Sequence, residues 1–288
     1  METGGPNQPK IYLWPNLMTA GNLCCGFFAI LQVFEGMQEV ANDAGTHAAN
    51  QHFYHAIMLI LGACIFDALD GRVARMSGGE SPFGREFDSI ADIVSFGVAP
   101  ALLVHEVVLQ GLADNIGWII AFVYLLCGAM RLARFNCIAA ENSGNATKDF
   151  QGFPIPAAAG VIGSITLLLL KLDEADKEPG RWTAILPVLM MLLSYLMFSN
   201  WSYPSFKALN WRAKRSPLWV FVAILVLVLT VMYVWFMPAI LFVSYLLYGL
   251  VRPWISKRWR REIEEDGVEV EEGDDQAGSR DEEAAKEL

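Results

Sequence analysis

The apolar positions of this chain gather into runs close to twenty residues long, separated by short stretches where Gly, Pro, Asn and charged residues collect. At about 1.5 Å per helical residue, a run of that length crosses a hydrocarbon layer about 30 Å thick. The pattern predicts helices over residues 12–34, 53–74, 85–108, 116–137, 155–172, 183–199, 217–236 and 238–255. The last two could be read as one rod, but a helix over both would be about 58 Å long, and Pro238 stands where a hairpin turns. The expected fold is an all-α polytopic membrane protein with eight transmembrane helices in total.

Composition agrees and removes the soluble alternatives. Of 288 residues, 54% are hydrophobic and 12% aromatic, and the mean hydropathy is +0.36 despite a formal charge of -10. The charge is concentrated at one end. Residues 262–288 hold 13 acids against Arg280 and Lys286, which leaves the first 261 residues close to neutral. This tail has too little apolar surface to offset the entropy of ordering, so residues 256–288 are expected to be disordered.

The bases set an orientation. With the amino terminus in the cytoplasm, 18 of the 21 Lys and Arg fall on that side, and Lys171, Lys177 and Arg181 fall on the other. Both termini then face the cytoplasm, and His47, His52, His55 and His105 lie toward the far face. Bases arranged by membrane topology give no reason to expect a nucleic-acid partner. The five cysteines show no CxxC spacing, so neither a disulfide framework nor a zinc site follows. METGGPNQPK lacks a basic n-region, so no cleaved signal peptide is expected, and PKIYLWPN reads as an interfacial anchor.

The informative stretch is FDALDGRVARMSGGESPFGREFDSIADIVSFGVAPALL, residues 66–103. Asp67 and Asp70 are three apart near the end of the second span, and Asp88 and Asp92 are four apart near the start of the third, so each pair shares a helical face. Antiparallel neighbours joined at residues 76–84 bring the pairs to matching depth. An unpaired carboxylate in hydrocarbon costs about 2.5 to 3.5 kcal/mol, and mutual repulsion adds to it. Arg72, Arg75 and Arg85 could neutralise the acids as a structural ion-pair network. Alternatively, oxygen donors with no His, Cys or Lys evident beside them suit one or two hard cations, Mg²⁺ or Mn²⁺, which typically bridge a phosphate. The small residues Gly71, Ala74, Gly78, Gly79 and Gly84 favour the second reading, because they leave room for a ligand against the helix backbone. Close helix packing accounts for one or two of them.

The spacing D-x2-D-G-x2-A-R-x8-G-x3-D-x3-D, from Asp67 to Asp92, resembles the signature of the CDP-alcohol phosphatidyltransferase family. The resemblance implies a six-helix membrane core, a homodimer, and transfer of a phosphatidyl group from a CDP-linked lipid to a small alcohol with release of CMP. It implies that Asp67, Asp70 and Asp88 ligate a metal pair and that Asp92 completes the site and acts as the base. It further implies that Gly71, Ala74 and Gly84 admit the cytidine diphosphate, with Arg75 holding the acidic cluster and the diphosphate. The domain plan is then a cytoplasmic segment over 1–11, the catalytic core over 12–200, a loop and two extra helices over 201–255, and the tail.

Within the family, DIVSFGVAPA, PNLMTAGN, RLARFN and FQGFPIPAAAG resemble the branch whose acceptor is L-serine. The expected partners are thus CDP-diacylglycerol, L-serine and membrane lipids. Serine needs a cation for its carboxylate, and Arg131 and Arg134 are the candidates, although Arg at a helix end also serves as a topology anchor. Asn16, Thr19 and Asn22 repeat along one helix face and could line the head-group pocket or pack between helices. Ser95 is expected beside the acceptor. The two final spans, apolar throughout, read as lipid-facing additions. The rivals are another acceptor in the same family (glycerol phosphate, inositol phosphate or choline) and a cation-coupled transporter. A transporter site is expected near the midplane between internal repeats, and none is visible.

Overall fold

A computed structural model of the chain describes residues 13–42, 46–76, 81–112, 115–141, 150–175, 184–199, 202–203 and 217–252. The helices are α1 (Leu13–Ala41), α2 (Thr46–Met76), α3 (Pro82–Asp92), α4 (Ala99–Val107), α5 (Ile116–Glu141), α6 (Ile155–Ala175), α7 (Ile185–Phe198), α8 (Pro217–Met232) and α9 (Met237–Val251). A π-helical segment, Ile93–Val98, joins α3 to α4, so Pro82–Val107 runs as one rod and the helical rods number eight among the described residues. Among the described residues, four helices are long and apolar enough to cross a membrane, and many large apolar side chains, such as Trp118, Val188 and Val231, face outward. The protein is an all-α polytopic membrane protein. The acidic tail and the first half of the proposed anchor segment lie outside the described residues.

α2 begins seven residues before the expected span because the apolar pattern marks only the stretch that needs hydrocarbon; the polar first turns around His47 are helical too. The α1–α2 hairpin is antiparallel: Gly21 faces Phe66 at one end, and Gly36 faces Phe53 at the other. A side chain at either glycine would collide with the facing ring, so these glycines serve close helix approach. The core between the helices is built from fully buried Ile57 and Ile60 of α2, Phe96, Tyr124, and Ile155, Ile162 and Leu167 of α6.

The start of α3 is fixed locally. Ser81 is extended, its hydroxyl accepts the Gly84 N–H at 3.0 Å, and Pro82 stands in the first turn. The π segment has an equally local cause. Pro100 has no N–H to offer the Phe96 carbonyl, and the buried Tyr124 hydroxyl donates to that carbonyl instead, at 2.9 Å. The wider turn begins directly after Asp92, so it changes which residues follow that carboxylate toward the core.

α5, α6 and α7 complete the bundle around this rod. Gly152, with φ of 85°, lets the chain turn into α6 where a side chain would meet the Met197 carbonyl. A two-residue antiparallel pairing, β1 (Phe150–Gln151) with β2 (Ser202–Tyr203), ties this turn to the end of α7. α8 and α9 are separate helices divided by a turn at residues 233–236, with Pro238 in the first turn of α9.

Candidate active site

Near the end of α2 and the start of α3, carboxylate oxygens of Asp67, Asp70 and Asp88 all lie within 4.8 Å of one another. Asp70 is buried, and the other two are half-buried. The third aspartate of the cluster arrives because Ser81 starts α3 where Asp88 can face back toward α2. Asp92 is one turn further along α3, is also buried, and lines the same cavity.

α1 supplies neutral donors to the two buried acids. The Thr19 hydroxyl donates to Asp70 at 3.1 Å, and the Asn22 amide donates to Asp92 at 3.1 Å. The three-residue stripe on α1 therefore does more than pack helices: it holds carboxylates in position from the side. Asn16, the third member, lines the cavity next to Gly84. Arg72 and Arg85 line it as well, so cationic side chains share the space with the acids.

The cavity has a volume of about 1520 Å³. Gly71 faces it, and a Cβ there would meet nothing within 4 Å, whereas a Cβ on Gly84 would touch Ser81 and Asn16 at 3.2 and 3.3 Å. The side chains of Ala74 and Arg75 lie outside the described residues. Arg131 of α5 is 8% exposed, lines the cavity, and keeps its Nε without a hydrogen-bond partner among the described residues. An unpartnered guanidinium nitrogen buried beside carboxylates and open space suits an anionic ligand group.

Four expectations change. Ser95 does not line the cavity: its hydroxyl donates to the Asn22 carbonyl at 2.9 Å, and the residue is fully buried against Gly26 of α1. Arg134 does not share the cavity with Arg131. Its guanidinium donates to the carbonyls of Phe198 at 3.1 Å and Ser199 at 3.4 Å, where a cation satisfies the open carbonyls at the end of α7. Cys64 does line the cavity, one turn before Asp67, with its thiol directed to the Pro156 carbonyl at 3.5 Å; no histidine or lysine lines the cavity among the described residues. Finally, the last two helices are more than lipid-facing additions, because Pro238, Leu241, Phe242 and Tyr245 of α9 line the cavity.

Sequence reasoning also passed over Asn136 and Ser89. The Asn136 amide donates to the Ser89 hydroxyl at 2.9 Å and to Glu86 at 3.3 Å, tying α5 to α3 at the cavity rim. The stretch RLARFN contains this residue, but only the facing of α3 reveals its use.

Carboxylates stand at the head of this cavity and apolar side chains line its far end, inside the helical fold of an integral membrane protein. Residues 12–201 match the family model for CDP-alcohol phosphatidyltransferase, and the chain belongs to that family. It is 36% identical over 247 residues to the CDP-diacylglycerol–serine O-phosphatidyltransferase of Helicobacter pylori strain J99, a match covering 85% of this chain and 92% of that protein. Proteins of the same description from Methanocaldococcus jannaschii and Bacillus subtilis strain 168 are 33% and 34% identical over 198 residues. Those matches cover 69% and 67% of this chain and 84% and 90% of the relatives.

Proposed function

We propose that this protein transfers the phosphatidyl group of CDP-diacylglycerol to the hydroxyl of L-serine, giving phosphatidylserine and CMP in phospholipid biosynthesis. The observation that carries the reading is the convergence of Asp67, Asp70 and Asp88 within 4.8 Å on a cavity with room for a diphosphate at Gly71. The description shared by the relatives supports serine as the acceptor.

The donor set fits a divalent cation. Three carboxylates with no nitrogen or sulfur ligand among them favour Mg²⁺ or Mn²⁺, and Asp67, Asp70 and Asp88, completed by Asp92, would hold two such ions. When bound, the ions supply charge neutralisation for the diphosphate and for the departing CMP.

The chain's own residues supply the rest. Gly71, Gly84 and Ala74 leave the helix backbone open to the nucleotide head group, and Arg75 assists at the diphosphate. Arg131 holds the serine carboxylate. Asp92, oriented by the Asn22 amide, accepts the proton of the serine hydroxyl as its oxygen forms the new bond to the lipid phosphorus and the bond from that phosphorus to CMP breaks. This is direct displacement: Cys64, the one thiol lining the cavity among the described residues, is turned toward the Pro156 carbonyl.

The activity resides in a core over residues 12–200, with residues 201–255 joined to it and residues 256–288 as a tail. The protein works as a homodimer in the cytoplasmic membrane, with both termini and the acidic cluster facing the cytoplasm; the placement of 18 of 21 bases supports that orientation. Purified protein incubated with CDP-diacylglycerol and each acceptor tests the reading. CMP release is expected with serine. Release with glycerol phosphate, inositol phosphate or choline but not with serine overturns the acceptor, and cation uptake by proteoliposomes of the protein without CMP formation overturns the reaction.

A further inference from the structure

The segment matched by the family ends at residue 201, yet the cavity is not closed there. Its remaining side is built from α9 and the end of α8. This wall is fastened in place: Phe242 sits on Gly160 of α6 so closely that a Cβ on the glycine would collide with the ring, and the rings of Tyr245 and Phe153 lie 5.7 Å apart. At the far end, Trp235 packs edge-on to Tyr54 of α2 at 5.0 Å and carries Lys171 over its face at 5.0 Å. A helix held on both sides of its first turns is a fixed wall.

The wall is graded. Tyr245 and Tyr248 bring phenol groups to the cavity, while Pro238, Leu241 and Phe242 bring none. From Tyr245 to Pro238 is seven residues, about 10 Å of helix at 1.5 Å per residue. Beyond Pro238 the lining continues with Val234, Val231 and Thr230, whose hydroxyl is turned away onto the Val226 carbonyl at 2.7 Å. Val231, which is 73% exposed, and Ile65 of α2, which is 64% exposed, both line the cavity, so it opens sideways where the outer surface is apolar. Such a mouth faces the interior of a bilayer, where a lipid already lies.

We infer that α8 and α9 form the acyl-chain wall of this cavity: a fatty acyl chain of the lipid substrate enters between Ile65 and Val231 and lies against Leu241 and Phe242. The inference rests on the cavity holding a CDP-linked lipid, as proposed above. It adds that helices outside the family-matched segment select the lipid by its chain.

The test uses the full-length protein in detergent with CDP-diacylglycerol carrying a diazirine midway along one acyl chain. After irradiation, label is expected on peptides from α8 and α9 and is lost when excess unlabelled CDP-dioleoylglycerol is added. Label confined to α1, α4 or α5, or label on α9 that the excess lipid does not displace, overturns the assignment. Two variants provide an independent measure. Leu241→Trp narrows the channel and Phe242→Ala removes its wall, and each is expected to lower the ratio of kcat/KM for dioleoyl over dioctanoyl CDP-lipid about tenfold. That ratio is insensitive to how much of a variant folds, so an unchanged ratio in both overturns the inference. If the label competes as expected but serine elicits no CMP, the acceptor reading fails and the acyl wall stands.

Discussion

The α1–α2 hairpin holds acidic side chains at both of its ends, and the two ends are arranged in opposite ways. At one end Glu35 lies 3.2 Å from His52 across the hairpin and accepts the Gln32 amide at 2.6 Å, with both partners of the pair partly exposed. At the other, about 22 Å further along α2 at 1.5 Å per residue, Asp67 and Asp70 face Asp88 within 4.8 Å, and the buried Asp70 and the neighbouring Asp92 receive neutral donors, Thr19 and Asn22. The first end satisfies itself with groups of its own hairpin. The second gathers like charges, which at 4 Å repel by about 4 kcal/mol at an effective dielectric near 20. A gathering of that kind is tolerable where positive charge completes it, and under the proposed function that charge is a bound cation beside Arg72 and Arg85 of the cavity wall.

The largest effect that can test this contrast is loss of reaction. Asp88→Asn keeps the shape of the side chain and removes one charge from the cluster, so CMP release is expected to fall by about a thousandfold. A variant that retains wild-type turnover would make the acidic cluster structural and erase the distinction between the two ends. Next in size is a change in stability. Binding to the native state raises stability by about 2.7 kcal/mol at a ligand concentration a hundred times Kd. Mg²⁺ or Mn²⁺ should therefore raise the melting temperature of the detergent-solubilised protein, and Asp67→Asn should cancel that rise. Thermal scans with and without a chelator measure it, and a rise that persists in the variant would place the ions elsewhere.

How much of this was legible beforehand depends on what each residue's role requires. Asp67, Asp70, Asp88 and Asp92 could be brought together from sequence because helical periodicity fixes their faces and a short connection fixes their depth. The roles of Ser95 and Arg134 could not, because both are decided by which backbone carbonyl lies opposite. Ser95 meets the Asn22 carbonyl and Arg134 meets the end of α7, and neither carbonyl leaves a mark in the sequence. The stripe of Asn16, Thr19 and Asn22 was visible, but its two readings separate only once Asp70 and Asp92 are seen as the acceptors. α9 was read only in part: Ile240 and Leu247 do face outward, but Leu241 and Phe242 line the cavity. A surface that faces lipid and a wall that faces an acyl chain need the same apolar residues, so composition cannot tell outside from inside. Only the packing of Phe242 on Gly160 does so.

A smaller effect probes the neutral donors. Asn22→Ala leaves the buried Asp92 short of a hydrogen bond, a loss of about 1 to 3 kcal/mol, and turnover is expected to fall about tenfold or more with little change in KM for the lipid. Thr19→Val, which preserves shape and removes one hydroxyl donor, should lower turnover about fivefold. Turnover normalised to the folded fraction distinguishes this from simple destabilisation, since a loss of folded molecules disappears on normalisation. Losses that vanish in this way and follow the melting temperatures would return Thr19 and Asn22 to the role of interhelical packing.

The smallest effect belongs to the opposite end. Glu35→Gln removes the charge facing His52 but keeps a side chain that can still bond to Gln32, and the pair is partly exposed on both sides. Exposed ion pairs contribute about 0 to 1 kcal/mol. The variant is therefore expected to melt within a few degrees of the parent, with the difference shrinking as salt is added. Its CMP release should stay within about twofold of the parent, because about 22 Å of helix separates the substitution from the carboxylates. Assayed beside Asp88→Asn, it makes the comparison quantitative: one lost charge at either end of the same hairpin, with a strong effect expected only where like charges are gathered. A large loss of turnover in Glu35→Gln would mean that the two ends are coupled through α1 and α2, and the self-satisfied pair would then belong to the machinery that positions Asp70.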